Sequence, residues 1–240
     1  MDTLFVSDLH LDAALPAAIE QFEAFALGPA RGAAAVYVLG DLFESWVGDD
    51  DDDAARARVC AALRALAASG VACYACHGNR DFLLAAQFER RSGCRLIGDP
   101  TVIDLYGERV LLAHGDLLCT GDRDYQRLRS VVRAPAWQRR FLRLPLATRR
   151  LLADTARAGS RTHTGMAAPE IMDVSEPAVI AAFRAAGVRR LIHGHTHRPG
   201  VHAYTLDGAS AQRYVLGAWY EHGSVLRCSP GRYQLQTLPG

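Results

Sequence analysis

Five short blocks concentrate side chains that can hold a metal ion. They are Ser7-Asp8-Leu9-His10, Gly40-Asp41-Leu42-Phe43-Glu44, Gly78-Asn79-Arg80-Asp81, His114-Gly115-Asp116 and His193-Gly194-His195-Thr196-His197. Carboxylate, amide oxygen and imidazole form a borderline-hard donor set, suited to manganese, iron or zinc rather than to a cysteine-rich structural zinc. In an extended chain residues two apart point the same way, so Asp8 and His10 can grip one ion, and so can His195 and His197. The adjacent glycines let the backbone turn sharply and let ligands approach without a Cβ in the way. Each block alone is a weak signal, since Gly-Asp is commonly a turn and a lone D-x-H is commonly incidental. Their conjunction, in order and at the ends of strand-like runs, predicts a dinuclear metal site and metal-assisted hydrolysis.

Such ligands need rigid elements behind them. The apolar runs LFVS (4–7), AVYVL (35–39), VACYAC (71–76) and VLLA (110–113) have the composition of buried strands. Segments 14–27 and 54–68 between them carry helical spacing, and the alternation argues for an α/β fold. After residue 188 the pattern turns to short β-type runs, RRLIH, VHAYTL, QRYVLGAW, SVLRCS and RYQLQTL. That predicts a mixed sheet or a two-sheet sandwich rather than a doubly wound sheet. Asp49 to Asp53 is expected to be a solvated loop whose last members cap the helix starting near Ala54. It lacks the alternation and glycine turn of a calcium loop.

Segment 122–163 stands apart, with eleven arginines against three aspartates and interleaved large apolar residues such as Leu128, Trp137, Phe141, Leu151 and Leu152. Pro135 and Pro145 divide it into about three short helices. The leucines outnumber the aromatics, which favours lipid tails over base stacking, and no nucleic-acid partner is expected.

The bulk numbers suit a globular chain. At 240 residues it can bury a substantial core, half of the residues are apolar, and the formal net charge is +1. Every one of the 27 basic residues is arginine, a compositional bias without mechanistic weight. No segment reaches the roughly 18 uninterrupted apolar residues of a spanning helix, and MDTLFVSDLH has no basic leader region. The six cysteines (60, 73, 76, 94, 119 and 228) fit buried free thiols in a reducing cytosol, and Cys73-Tyr-Ala-Cys76 lacks a second C-x-x-C.

The order DLH, GDLFE, GNRD, HGD, HGHTH resembles the calcineurin-like metallophosphoesterase superfamily, over nearly the whole chain. That resemblance implies an α/β/β/α sandwich of two sheets with two metals in loops at the strand ends. Carried over by position, one metal takes Asp8, His10, Asp41 and His197, and the other takes Asp41, Asn79, His114 and His195, with Asp41 bridging. Two cations about 3.5–4 Å apart can activate water and neutralise phosphoryl oxygens, so no serine or cysteine nucleophile is required. Asp41, Asn79, Arg80, His114 and His195 are then expected to carry the chemistry. Asp81 and Asp116 are expected to hold ligand histidines or loops in place.

Arg80 stands where the superfamily motif has a histidine thought to assist the leaving group. An arginine does not give up its proton near neutral pH, but it clamps phosphate well. GNRD, the preceding FESWVGDDD and the cationic segment together resemble one branch, the UDP-2,3-diacylglucosamine pyrophosphohydrolases of lipid A biosynthesis. That resemblance implies water attack on the α-phosphorus, giving UMP and 2,3-diacylglucosamine 1-phosphate, with two Mn²⁺ ions. It implies a catalytic core at 1–121 and 159–240 and a helical lid at 122–158 that lines an acyl groove. The lid arginines would face phosphate and an anionic membrane surface. Substrate contacts carried over are Asn79, Arg80, Asp122, Tyr125, Arg157, Ser160, Thr164 and His195. The family pattern has asparagine where Thr164 stands and lysine where Ala167 stands; alanine makes no such contact, and Arg161 is the substitute at hand. The expected protein is a monomer, cytoplasmic and peripheral on the inner membrane. Its rivals are another phosphodiesterase or nuclease of the superfamily and a metal-free interaction module.

Overall fold

Side chains two apart on a strand share a face, and β1 (Thr3–Val6) divides its apolar residues on that rule. Leu4 and Val6 join one core cluster while Phe5 joins another, so the strand is buried on both sides. The structure is a computed structural model that describes residues 1–166, 173–220 and 222–238, with the side chains of all of these except 160–166.

Parallel to β1 run β2 (Ala35–Leu39) and then β3 (Ala72–Cys76), followed by the two-residue β4 (Arg95–Leu96). The second sheet contains β5 (Thr101–Leu105), β6 (Glu108–Ala113), β7 (Arg190–His193), β8 (Gly200–Leu206) and β9 (Ala209–Val215). The last two strands, β10 (Ser224–Ser229) and β11 (Arg232–Thr237), return to the first sheet, where β10 pairs antiparallel to β1 and β11 antiparallel to β10. The orders are β11-β10-β1-β2-β3-β4 and β5-β6-β7-β9-β8, so both sheets are mixed, as the change of pattern after residue 188 predicts.

Between the sheets lies a core that includes Phe5, Leu39, Val110, Leu112, Ile192 and Leu226. Helices α1 (Pro16–Leu27), α2 (Ala54–Ala68) and α3 (Ala86–Ser92) cover the outer face of the first sheet, around Phe22, Leu63, Phe88 and Trp219. The arginine-rich segment forms α4 (Arg123–Val132), α5 (Pro135–Phe141) and α6 (Leu146–Met166), broken at the two prolines. The third is 21 residues long and runs past position 158. Neither α4 nor α5 has a fully buried residue.

The outer face of the second sheet packs on α7 (Glu176–Ala186) through Val179 and Phe183. These layers make the expected α/β/β/α sandwich. Neither α3 nor α7 is apparent from periodicity: one spans seven residues, and the other is a nearly unbroken apolar run.

The aspartate run is more than a solvated loop. Asp53 does cap α2, accepting a hydrogen bond from the Arg56 amide. Asp49, however, accepts from the Gln87 and Phe88 amides at the start of α3, and from Trp46 Nε1. Asp51 is fully buried and pairs with Arg56 and Arg150, and Asp50 pairs with Arg149. Arg149 is only 2% exposed and also donates to the Val47 and Leu144 carbonyls. The run therefore joins α2, α3 and α6. All six cysteines are buried, and none forms a disulfide.

Candidate metal centre

The candidate ligands emerge from the carboxyl ends of five strands, at one edge of the sandwich. Asp8 and His10 follow β1, Asp41 follows β2, Asn79 follows β3, His114 follows β6, and His195 and His197 follow β7. Strands β1, β2 and β3 are mutually parallel, as are β6 and β7, so their carboxyl ends gather within each sheet.

All seven side chains converge. His10 Nε2 lies 3.2 Å from His197 Nε2, and His197 Nε2 lies 3.4 Å from Asp8 Oδ1. Asn79 Oδ1 is 2.8 Å from His114 Nε2 and 3.0 Å from His195 Nδ1. Asp41 Oδ2 stands between the two groups, 3.9 Å from His10 Nε2 and 3.8 Å from His114 Nε2. The donor atoms of Asp8, His10 and His197, and those of Asp8, Asp41 and His114, each fall within 4.8 Å of one another.

The backbone explains this convergence differently from the simple pleat. Asp8, His10, Asp41, His195 and His197 all have positive φ, between 50° and 68°. Only two other non-glycine residues among those described do so, Tyr106 and Asp207. Left-handed conformations are unfavourable for such residues, and they persist where surrounding bonds dictate them. Asp8 and His10 thus point together because the chain curls after β1 ends, not because it stays extended. The loops also pass at close quarters. A Cβ on Gly78 would sit 2.0 Å from Asp41 Oδ1, and one on Gly194 would sit 2.2 Å from Asp8 Oδ2.

Other hydrogen bonds fix the ligands. His10 Nδ1–H donates to Glu44 Oε2 at 2.9 Å, leaving Nε2 with its lone pair toward the cluster. His114 Nδ1–H does the same with the Leu39 carbonyl at 3.0 Å. The His195 amide donates to Asp8 Oδ2, and the Arg80 amide to Asp41 Oδ1. Asp81 accepts from the amides of Asp41, Leu42, Phe43 and Gly78, tying two ligand loops together as expected of it. Asp116 directs its hydrogen bonds elsewhere, accepting from Tyr125 Oη and Arg129 Nε and so anchoring α4. The backbone of His114 is held by Asp99, which accepts from its amide.

The electrostatics favour a cation. Burial alone would push the His114 imidazole down, but Asp41, Asp8, Asp116 and Asp99 together lift it to about 9. Burial likewise opposes ionisation of Asp8, yet His197, His114 and His10 hold its carboxyl well below the usual range. Burial and the neighbouring charge of His114 drive His195 down to about 3, which leaves a neutral imidazole able to act as a ligand. Asp8 Oδ1 is buried without a hydrogen bond. An orphaned carboxylate oxygen, the neutral His195 imidazole and loops too close for a Cβ suit divalent cations bound by mixed oxygen and nitrogen donors.

Of the predicted substrate contacts, His195 lies in the donor cluster, and the rest fall into three groups. Asn79, Arg80, Tyr125 and Arg157 line a cavity of about 340 Å³ that runs from the ligand loops under α4, α5 and α6. Asp122 is the N-cap of α4, accepting from the Tyr125 amide, and is not among the cavity residues. The side chains of Ser160, Arg161 and Thr164 lie outside the described residues, as does Ala167. Sequence reasoning missed Tyr220, which stacks on His10 with centroids 5.4 Å apart, and the His10-orienting role of Glu44. Glu44 sits three residues after Asp41 in a ligand block, a usable signal, whereas nothing in the local sequence marks Tyr220.

A model of the family described as calcineurin-like phosphoesterase matches residues 1–199. The UDP-2,3-diacylglucosamine hydrolase of Aeromonas salmonicida (strain A449) is 52% identical, over 100% of this chain and 95% of that protein. The protein of the same name from Stenotrophomonas maltophilia (strain K279a) is 47% identical over 99% of each chain. That from Salmonella arizonae is 46% identical over the full length of both. Its ligand loops, its two-sheet frame and these matches agree: the chain belongs to the calcineurin-like phosphoesterase family.

Proposed function

We propose that this chain is a metal-dependent hydrolase of UDP-2,3-diacylglucosamine, cleaving its pyrophosphate by attack of water on the α-phosphorus. The products are UMP and 2,3-diacylglucosamine 1-phosphate. The observation that carries this reading is the junction of the seven-donor cluster with an apolar cavity, where Asn79 and Arg80 belong to both neighbourhoods.

Asp8, His10, Asp41 and His197 would hold one cation and Asp41, Asn79, His114 and His195 the other, and the position of Asp41 Oδ2 between His10 and His114 supports its bridging role. Two manganese ions bound there would supply Lewis-acid charge and an acidified water. Arg80 Nε is buried without a partner beside the cavity, a donor ready for a phosphate oxygen. Its permanent charge binds and orients the second phosphate rather than delivering a proton. Tyr125 stacks on His195 at 6.0 Å and closes the cluster on the cavity side. Trp137, Phe141, Val132 and Leu152 give the cavity an apolar wall suited to acyl chains, and residues 122–158 serve as its lid.

The same helices also expose Val131, Leu142 and Leu151 among arginines. That combination suits peripheral contact with an anionic membrane surface. Among the described residues no helix is long and apolar enough to cross a membrane.

The test is hydrolysis of UDP-2,3-diacylglucosamine in oxygen-18 water with Mn²⁺. Label in UMP is the expected result. Label in the sugar phosphate would move the attack to the other phosphorus, and absence of turnover would overturn the substrate.

A further inference from the structure

Two tyrosines bracket the metal cluster, and the proposed function uses only one of them. Tyr125 stacks on His195 at the cavity end. Tyr220 lies at the other end, its ring stacked on His10 (5.4 Å between centroids, 12° between planes) and edge-on to His197. It is not among the cavity residues, and it is 61% exposed. One ring face is thus occupied by His10, and most of the side chain is open to solvent.

Its position is firmly set. The preceding residue, Trp219, is 1% exposed and packs edge-on to Phe22 and Phe25. Trp219 Nε1 donates to the Ser224 carbonyl, and its amide donates to the Asp8 carbonyl at 3.1 Å. The chain carrying Tyr220 is therefore pinned to the same turn that carries Asp8 and His10. A ring held rigidly beside a phosphate-binding centre, with a free face, loses little freedom on stacking a flat partner.

The substrate of the proposed function is a diphosphate with unlike ends. Its acylated sugar takes the apolar cavity on the Tyr125 side, so the nucleoside must leave the cluster by the other end. Resting on that reading, we propose that Tyr220 is the nucleoside platform, stacking the pyrimidine base of the substrate and of the UMP product. Stacking on an aromatic ring contributes roughly a factor of ten in affinity per base, and it needs no hydrogen-bonding edge.

The test is equilibrium binding of UMP and of inorganic phosphate to the manganese-loaded protein and to its Tyr220→Leu and Tyr220→Phe variants, with metal content measured in each. Tyr220→Leu keeps an apolar cover over His10 but has no π face. It should weaken UMP about tenfold while phosphate binding and bound metal stay within about twofold of the parent. Tyr220→Phe should retain UMP within about twofold, because the face is preserved. Equal weakening of UMP and phosphate, or a matching loss of metal, would reduce Tyr220 to a support for His10. A parent protein that binds no UMP, or a leucine variant that binds it as well as the parent, would also overturn the assignment. If UMP binding depends on the ring but UDP-2,3-diacylglucosamine is not hydrolysed, the platform stands and the substrate reading fails.

Discussion

The ligand loops and the helices at 123–166 touch the same cavity but are built on opposite terms. Asp8 and His114 are fully buried, whereas Leu151 is 66% exposed and Leu128 57% exposed. In the loops backbone amides and imidazole nitrogens are tied by hydrogen bonds, Asp8 Oδ1 and Arg80 Nε are left without one, and five candidate-ligand residues hold left-handed backbones. The helices have ordinary geometry and are tied down at a few points. Arg129 reaches Asp116, Arg133 reaches the Gly78 carbonyl, and Arg149 reaches Asp50. Metal chemistry needs donors fixed to fractions of an ångström, and an over-determined backbone supplies that. On the proposed reading, acyl chains need an apolar wall and an opening, which helices fastened by a few arginines would supply without a rigid core.

This contrast can be broken most directly at Asp41, the residue common to both proposed ion sites. Asp41→Ala should lower kcat by about a thousandfold or more on every substrate, since it removes charge at the reacting centre. A variant retaining a tenth of parental activity would contradict a shared ligand. Arg80→Ala sits at the border between the two regions. We expect kcat/KM to fall about a hundredfold on the diphosphate substrate, the scale of a lost charge-assisted clamp. Parallel assays on a simple chromogenic phosphodiester should show a much smaller loss, and equal losses would remove the clamp role. The mildest change belongs to the helices. Trp137→Ala should raise KM about tenfold for the diacyl substrate, given the apolar area it takes from the cavity wall. The deacylated analogue, assayed alongside, should barely respond; a common rise for both would mean that the cavity does not hold the acyl chains.

The local sequence made each ligand legible as a type: Asp8 and His10 at one strand end, His195 and His197 at another, Asn79 beside a glycine. It also made the two prolines legible as helix breaks and the apolar runs as strands. Hidden from it were residues whose role depends on a partner far along the chain. Asp116 reads as a support for a histidine, and its charge does act on His114, but its hydrogen bonds anchor α4, because Tyr125 and Arg129 reach it. The aspartate run looked solvated, yet Asp51 is buried between Arg56 and Arg150.

Taken alone, the chain's order of residues determined the donor chemistry, the strand-helix alternation and the presence of a cationic, greasy segment, because composition and short-range spacing act over a few residues. Only the tertiary structure decided that Asp41 lies between His10 and His114, that Tyr220 lies over His10 and that the cavity opens beside Arg80. Those facts come from chain reversals and sheet packing that bring together positions tens to nearly two hundred residues apart, as with His10 and His197. No local periodicity records such distances.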